Sequence, residues 1–322
     1  MSVILPTYNY ARFLAESVAS VQKQDVEEIE ILIVDDGSTD ETPEIVEGLA
    51  TADPRIRYIP IPRSGLSAAR NVGLDEARAE YIAFHDADDR WRAGKLRRQV
   101  ALLDSEPDVG LCFTDFARFH EGGFLERSQF DFLPELRTVE SRPATSGLGR
   151  VITGDAFVEL IQTRVLASCP PTTLLRRAHV GHVRCHERLQ RGTDYHYYYN
   201  IYRLTSVAFI PEPLVEVRRH GGNMSASFEE MFAPYLQAIS LLLEDPEPPL
   251  APAHREALRR RLGRAVCGVG YEHFWSGRPV RAGRAYFRAL AWPGSRVNAL
   301  KHLVALPVVP FLKGRREEKE FI

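Results

Sequence analysis

Residues 81–91 read YIAFHDADDRW. Four residues suited to a buried strand run into Asp86, Asp88 and Asp89, three carboxylates within four positions. At about 5 Å and an effective dielectric near 20, each such pair repels by roughly 3 kcal/mol. Open water, raised pKa values or a cation must offset that cost. Carboxylate oxygens are hard ligands suited to Mg2+ or Mn2+, and Mg2+ usually takes one or two carboxylates and fills its shell with substrate phosphates. An acidic turn capping the next helix is the competing use of the same residues. Further polar clusters stand at PTYN (6–9), DDGS (35–38), AARN (68–71), TD (193–194) and VRRHGG (217–222).

The elements between these clusters decide whether they can meet. SVILP (2–6), IEILIV (29–34), IRYIPI (56–61), YIAF (81–84) and VGLCFT (109–114) read as strands. Unbroken β-branched runs of this kind belong to strands covered on both faces. Helical stretches alternate with them at 11–24, where Leu14, Val18 and Val21 share one face, after the DDGS turn, at 64–78, and at 95–103. Ser38 or Asp40 can cap the second helix, with Pro43 in its first turn. This alternation predicts a doubly wound, mostly parallel sheet with right-handed crossovers. Ligands of such sheets bind outside the carboxyl ends of the strands, and PTYN, DDGS and HDADD all fall there.

Later elements are less regular. Residues 120–150 are rich in Gly, Ser and Pro and read as a long loop or lid. A helix is expected over 153–166 with Asp155 as its cap, and an aromatic helix follows Asp194, with Tyr195, Tyr198 and Tyr202 able to share a face. Residues 206–225 read as a strand pair ending in a polar turn. Beyond them the pattern is helical, interrupted by a Pro-rich linker at 245–253 and a turn at Ser276-Gly277. The predicted division is 1–227 for an α/β domain and 228–322 for a C-terminal helical region.

Size and composition narrow the class. The chain has 322 residues, 44% hydrophobic and 26% charged, as in ordinary soluble globular proteins. No apolar run reaches the roughly 20 residues that span a bilayer. MSVILPTYNY opens as a strand without a basic leader, so no signal peptide is expected. Cys112, Cys169, Cys185 and Cys267 are far apart with no CxxC pair, which suits a reduced, cytosolic setting without a zinc site. The net charge of −2 hides an asymmetry: residues 255–322 hold 15 Lys and Arg against 5 Asp and Glu, and the rest hold 26 against 38. A basic C-terminal part suits an anionic neighbour such as a membrane surface, or is an Arg-rich solvated face. The apolar 298–312 stretch, broken by Pro307 and Pro310, suits either a membrane surface or packing over the helices before it.

VILPTYN, ILIVDDGSTDET, GLSAARNVGL, YIAFHDADD, GTDY and VRRHGGNMS, in this order over residues 2–225, resemble the inverting family 2 glycosyltransferases of GT-A fold. The resemblance implies a nucleotide-sugar donor and a sugar or lipid-linked acceptor, with no nucleic acid involved. Pro6, Thr7, Tyr8 and Asn9, with the Asp35-Asp36-Gly37 turn, would hold base and ribose. Asp35 or Asp36 would accept an N–H from uracil or guanine, although turn and cap formation also account for Asp36 and Ser38. Arg70 and Asn71 would add nucleotide contacts, as would Ala87. Asp88 would ligate the Mg2+ or Mn2+ ion, with Asp86 on ribose or supporting the metal. Asp89 would act through water or cap the next helix. His220 would approach metal or diphosphate, and Arg218 would neutralise phosphate. Asp194 is the expected base that takes the acceptor proton, with a helix cap as its alternative role. Related sequences often read Glu-Asp where this chain reads Thr193-Asp194, a departure that removes one carboxylate.

The resemblance further implies a UDP-sugar, with GDP and dTDP open, and a bacterial polysaccharide or glycoconjugate pathway. It places the protein in the cytoplasm or at the inner face of the membrane. A nucleotidyltransferase usually has a glycine-rich phosphate loop after the first strand, and PTYNYARF has no glycine. A receiver module would be far shorter. A non-catalytic nucleotide-sugar-binding relative is the remaining alternative. Residues 120–170 and the tyrosine-rich stretch are expected to line the acceptor site.

Overall fold

A computed structural model describes residues 1–26, 28–161, 169–222, 228–244, 249–292 and 294–305. In chain order the elements are β1 (Ser2–Thr7), α1 (Ala11–Gln22), β2 (Glu30–Asp35), α2 (Thr42–Ala52), β3 (Ile56–Pro60), α3 (Leu66–Glu76), β4 (Tyr81–Phe84), β5 (Arg90–Trp91) and α4 (Lys95–Ser105). Then come β6 (Val109–His120), β7 (Gly123–Glu126), β8 (Ser141–Pro143), β9 (Arg150–Ile152), α5 (Ala156–Leu160), β10 (Thr173–Arg176), α6 (Arg177–Val180), α7 (Thr193–Tyr202) and β11 (Ser206–Arg218). Four helices complete the described chain: α8 (Phe228–Glu244), α9 (Pro252–Trp275), α10 (Pro279–Ala289) and α11 (Arg296–Ala305). The chain divides within α8 into two compact units, Met1–Ala238 and Ile239–Ile322.

The first unit is built on one sheet of order β3-β2-β1-β4-β10-β6-β11-β9-β8, with β5 on β11 and β7 on β6. The pairs β3–β2, β2–β1 and β1–β4 are parallel, in line with the alternation read from the sequence. Beyond β4 the sheet is mixed, because β10 runs antiparallel to both β4 and β6, while β11 lies parallel to β6. β1 is buried along its whole length, and β2 from Ile31 onward. Helix α3 packs directly on β1: a Cβ at Gly73 would lie 2.2 Å from Ile4 Cγ2, so only glycine allows this approach.

Two expectations are corrected. The 206–225 segment contains one strand, β11, rather than a pair; Pro211 and Pro213 disturb it, with register shifts between Ile210 and Val215, without ending it. Residues 120–150 are not one loop but carry β7, β8 and the start of β9, with single 3-10 turns at Phe130–Phe132 and Pro134–Arg137. In the aromatic helix Tyr198 and Tyr202 take the core role, one of the two open to them: both are buried, and the Tyr198 hydroxyl meets Thr173 Oγ1 at 2.9 Å. Asp155 does cap α5, accepting from Phe157 N and Val158 N. The expectations for 162–166, for Asn223 to Ser225, for 245–248 and for 306–322 lie outside the described residues.

In the second unit α9 and α10 pack closely, with Gly270 against the Tyr286 ring, which itself stacks on His302 of α11 at 5.0 Å. No helix of the described residues is long and apolar enough to cross a membrane.

Candidate active site

The carboxyl ends of β1, β2 and β4 open on a cleft of about 920 Å³. Its wall takes residues from the PTYN turn, Asp36, the entry and first turn of α3, the 86–89 turn, the 187–194 segment and the end of β11. Segments separated by more than a hundred residues thus converge where an α/β sheet is expected to bind its ligand.

One side is suited to a flat ring. Asp36 is buried, pairs with Arg63, and accepts from Ser64 N at 2.6 Å and Gly65 N at 2.9 Å. Gly65 has φ 99°, a region costly for other residues, and so starts α3 at this point. The Arg63 guanidinium lies 3.8 Å from the centroid of the Tyr8 ring, a cation–π stack at the mouth of the cleft. Thr7 Oγ1 is buried on the wall and has no hydrogen-bond partner among the described residues, so a polar group there awaits a ligand. Asn9 takes a left-handed φ of 56° and ties two turns together: its N–H goes to Ser38 Oγ at 2.9 Å and its Oδ1 accepts from Thr39 N at 2.8 Å.

The opposite side is acidic. Asp89 N bonds Asp86 O at 3.1 Å, closing the turn that follows β4. Asp86 and Asp88 both face the cleft, with Ala87 between them. Asp89 instead points inward and accepts from Arg218 N at 2.8 Å, pinning the turn to β11. Asp88 Oδ2 stands 3.0 Å from His220 Nε2. Burial pushes the Asp86 carboxyl up to about 6 against the pull of Arg70, and the charges of Asp88 and Asp194 add to the rise. Burial likewise holds Asp89 well above the carboxylate range, with Asp88 and Asp86 adding. The turn is therefore short of positive charge.

The donor set fits a small divalent ion. Asp88 and His220 bring a carboxylate and an imidazole to hydrogen-bond distance, 3.0 Å, and both donor types suit such an ion. Among the described residues no group of three His, Cys, Asp or Glu side chains is placed to hold a metal alone.

Asp194 lies in the first turn of α7, and α3 holds that turn at two points. Ser67 Oγ bonds Thr193 Oγ1 at 3.0 Å in a buried contact. One turn later, buried Arg70 divides its guanidinium between Asp194 Oδ1 and, at 3.3 Å, Asp86 Oδ1. The departure from Glu-Asp thus has a local reason, because residue 193 is buried beside Ser67 and suits a hydroxyl better than a carboxylate.

Several sequence candidates sit elsewhere. Asn71 does not line the cleft; its amide clamps the 185–187 segment, donating to Cys185 O at 2.9 Å and Glu187 Oε1 at 3.0 Å and accepting from Cys185 N at 2.8 Å. Asp35 lies behind the wall, taking Ser38 N and Tyr58 OH at 3.0 and 2.9 Å. Gly37 supplies the positive φ of that turn, where a Cβ would lie 3.0 Å from Arg63 N. Arg218 reaches the wall, but its guanidinium pairs with Glu16, donates to Asp88 O at 2.9 Å and covers the Phe13 and Phe119 rings, so it buttresses the acidic turn. The sequence reading missed Tyr10, Arg63, Glu187, Arg191 and Arg219, all on the wall. Arg219 stands within the VRRHGG cluster beside Arg218 and His220, whereas no local pattern marks out the other four.

The model of Glycosyl transferase family 2 matches residues 2–159. A glycosyltransferase of Rickettsia felis without an assigned role is 30% identical over 248 residues, which cover 76% of this chain and 37% of its own. TuaG of Bacillus subtilis, provisionally named a teichuronic acid biosynthesis glycosyltransferase, is 32% identical over 172 residues, 51% of this chain and 68% of its own. The chain spans about a third of the length of the first curated relatives it matches. Among solved structures, Staphylococcus aureus TarS in complex with UDP-GlcNAc superposes with a TM-score of 0.66 at 22% identity, over 97% of this chain and 87% of that one. The mannosyltransferase PcManGT of Pyrobaculum calidifontis, in complex with GDP-Man and Mn2+, gives 0.58 at 19%, over 99% and 87%. At such identities the likeness to the two structures concerns the fold. The matches to family and relatives, joined to the ordered motifs and the strand-end cleft, lead to one conclusion: the chain belongs to glycosyl transferase family 2 and has the GT-A fold.

Proposed function

We propose that this chain transfers a sugar from a nucleoside-diphosphate sugar, foremost a UDP-sugar, to an acceptor hydroxyl with inversion at the anomeric carbon and with Mg2+ or Mn2+ as cofactor. The observation that carries this reading is the meeting of the Asp86–Asp88 turn and Asp194 in one cleft, with His220 held 3.0 Å from Asp88. Asp88 and His220 would hold the ion, and Asp86 would support it. An ion held there supplies Lewis-acid stabilisation of the charge developing on a leaving diphosphate. Thr7 and Asp36 would meet the base edge, with Tyr8 beneath Arg63 as the adjacent ring surface. The Asp194 carboxylate would take the acceptor O–H proton as that oxygen bonds to the anomeric carbon and the bond to diphosphate breaks on the opposite face. Arg70 would keep the Asp194 carboxylate oriented for that transfer.

The relatives and neighbours support the choice of substrates. The TarS structure holds UDP-GlcNAc, and the PcManGT structure holds GDP-Man with Mn2+, which keeps guanosine in scope. TuaG's name points to cell-surface polymer synthesis. We assign this chain, on that basis, to bacterial polysaccharide or glycoconjugate synthesis at the cytoplasmic side, with a sugar or lipid-linked acceptor. The catalytic work is assigned to residues 1–227.

A screen of nucleotide sugars for hydrolysis and transfer, with Mn2+ and with EDTA, tests the reading. Turnover is expected with Mn2+ and is expected to vanish on chelation. Asp194→Asn separates catalysis from mere binding: nucleotide affinity should hold while turnover falls by about 10²–10⁴-fold. Equal turnover of the variant removes Asp194 from the proton step. No turnover of any activated sugar by the native chain, with nucleotide binding intact, favours the non-catalytic alternative.

A further inference from the structure

The helices of the second unit carry apolar residues that its own core does not use. On α10, Ala282, Ala285, Tyr286 and Ala289 face inward and are buried. Val280 and Phe287, two turns apart on the opposite face, are each more than half exposed, and Arg284 stands between them. On α11, Ala299 is buried, whereas Val297, Leu300 and Val304 form an exposed stripe beside exposed Lys301. These five make up most of the large exposed apolar residues among those described. The charge along these helices has one sign: residues 273–305 contain no Asp or Glu and six Lys or Arg. Exposed Arg281, Arg284, Arg288, Arg296 and Lys301 flank the stripes.

Apolar centre and cationic flank on the same short helices are what an interfacial element needs, the apolar residues to enter the headgroup boundary and the cations to meet anionic lipid. A second copy meeting these helices face to face would bring cations against cations. We propose that the outer faces of α10 and α11 dock on an anionic bilayer surface, through Val280, Phe287, Val297, Leu300 and Val304 with the neighbouring arginines. The inference goes beyond the donor-site reading and does not depend on it: a protein with another substrate would keep the same surface.

The test is co-sedimentation of the full chain with large unilamellar vesicles of phosphatidylcholine alone or with about a third phosphatidylglycerol. Binding is expected to the mixed vesicles only, and to fall away at about 0.5 M salt. Arg284→Gln with Arg288→Gln should weaken partition by on the order of twenty-fold, at roughly five-fold per cation. Phe287→Ser should weaken it about ten-fold, with melting temperature and UDP affinity unchanged because the side chain is exposed. Absence of vesicle binding, equal binding to both vesicle types, or wild-type partition of both variants overturns the proposal. So does a concentration-dependent dimer that Phe287→Ser abolishes, since the occupant is then a second copy.

Discussion

Replacing Arg70 by lysine keeps the charge and removes the fork. Arg70 is almost fully buried, and its two terminal nitrogens serve different carboxylates, Asp194 and Asp86. An ammonium is one point on a flexible stem and cannot reproduce that division. The loss is one hydrogen bond to a charged group, about 1.5–3 kcal/mol. Asp86 and Asp194 are each about a third exposed, so solvent screening favours the low end. Arg70→Lys should therefore destabilise by about 1.5 kcal/mol. Arg70→Met leaves both carboxylates uncompensated beside Asp88 and should cost about 3 kcal/mol. Urea unfolding at neutral pH measures both values. In turnover, Asp194 held by a lysine samples more orientations, and misplacement of about 1 Å is enough to lose 10²-fold; a fall of at least about ten-fold is expected for Arg70→Lys. Wild-type stability and wild-type turnover in Arg70→Lys would refute the bridging role.

Thr193→Glu restores the acidic pair common in related sequences but puts a carboxylate into a buried site beside Ser67. It should destabilise by about 2 kcal/mol or more, read as a shift in urea midpoint. Glu106 is held down to about 2 by hydrogen bonding to Arg142, against the opposing effect of burial, and Thr145 adds two bonds. A carboxyl depressed on folding contributes stability that is present above its unfolded value of 4.5 and is lost as pH falls toward 2. Glu106→Gln should thus flatten the stability profile between pH 4.5 and 2, measured by thermal melts across that window.

Much of the first unit's parallel half, and the placing of its polar clusters at strand ends, was legible because each motif is local. IEILIV is a covered strand whatever follows it, and DDGS and HDADD must then fall at strand ends. The Thr193-Asp194 pair was visible as a polar helix start. The remainder depends on distance in sequence. Arg63 gains meaning only when β3 brings it over Tyr8 and beside Asp36. Asn71 follows Arg70 in the same motif but sits about 100° further round α3, so one residue faces the cleft and the next clamps Cys185. Pro211 and Pro213 mimic a strand break, yet β11 continues through irregular pairing with β6. The two-residue β5 is too short for any periodicity to reveal. For Tyr198 and Tyr202 core and groove lining both stayed open, because an aromatic helix face has the same spacing whether it meets ligand or core.

The central claim is that Asp88 and His220 serve a cation-held diphosphate in this cleft. Calorimetric titration of UDP and GDP into the wild-type chain and into Asp88→Asn, each with and without Mn2+, tests it most directly. The account predicts that Mn2+ tightens binding of one nucleotide by at least about ten-fold in the wild type. It predicts that Asp88→Asn loses this gain while its metal-free affinity stays close to that of the wild type. Affinities that ignore Mn2+, or a full Mn2+ gain retained in Asp88→Asn, would contradict it.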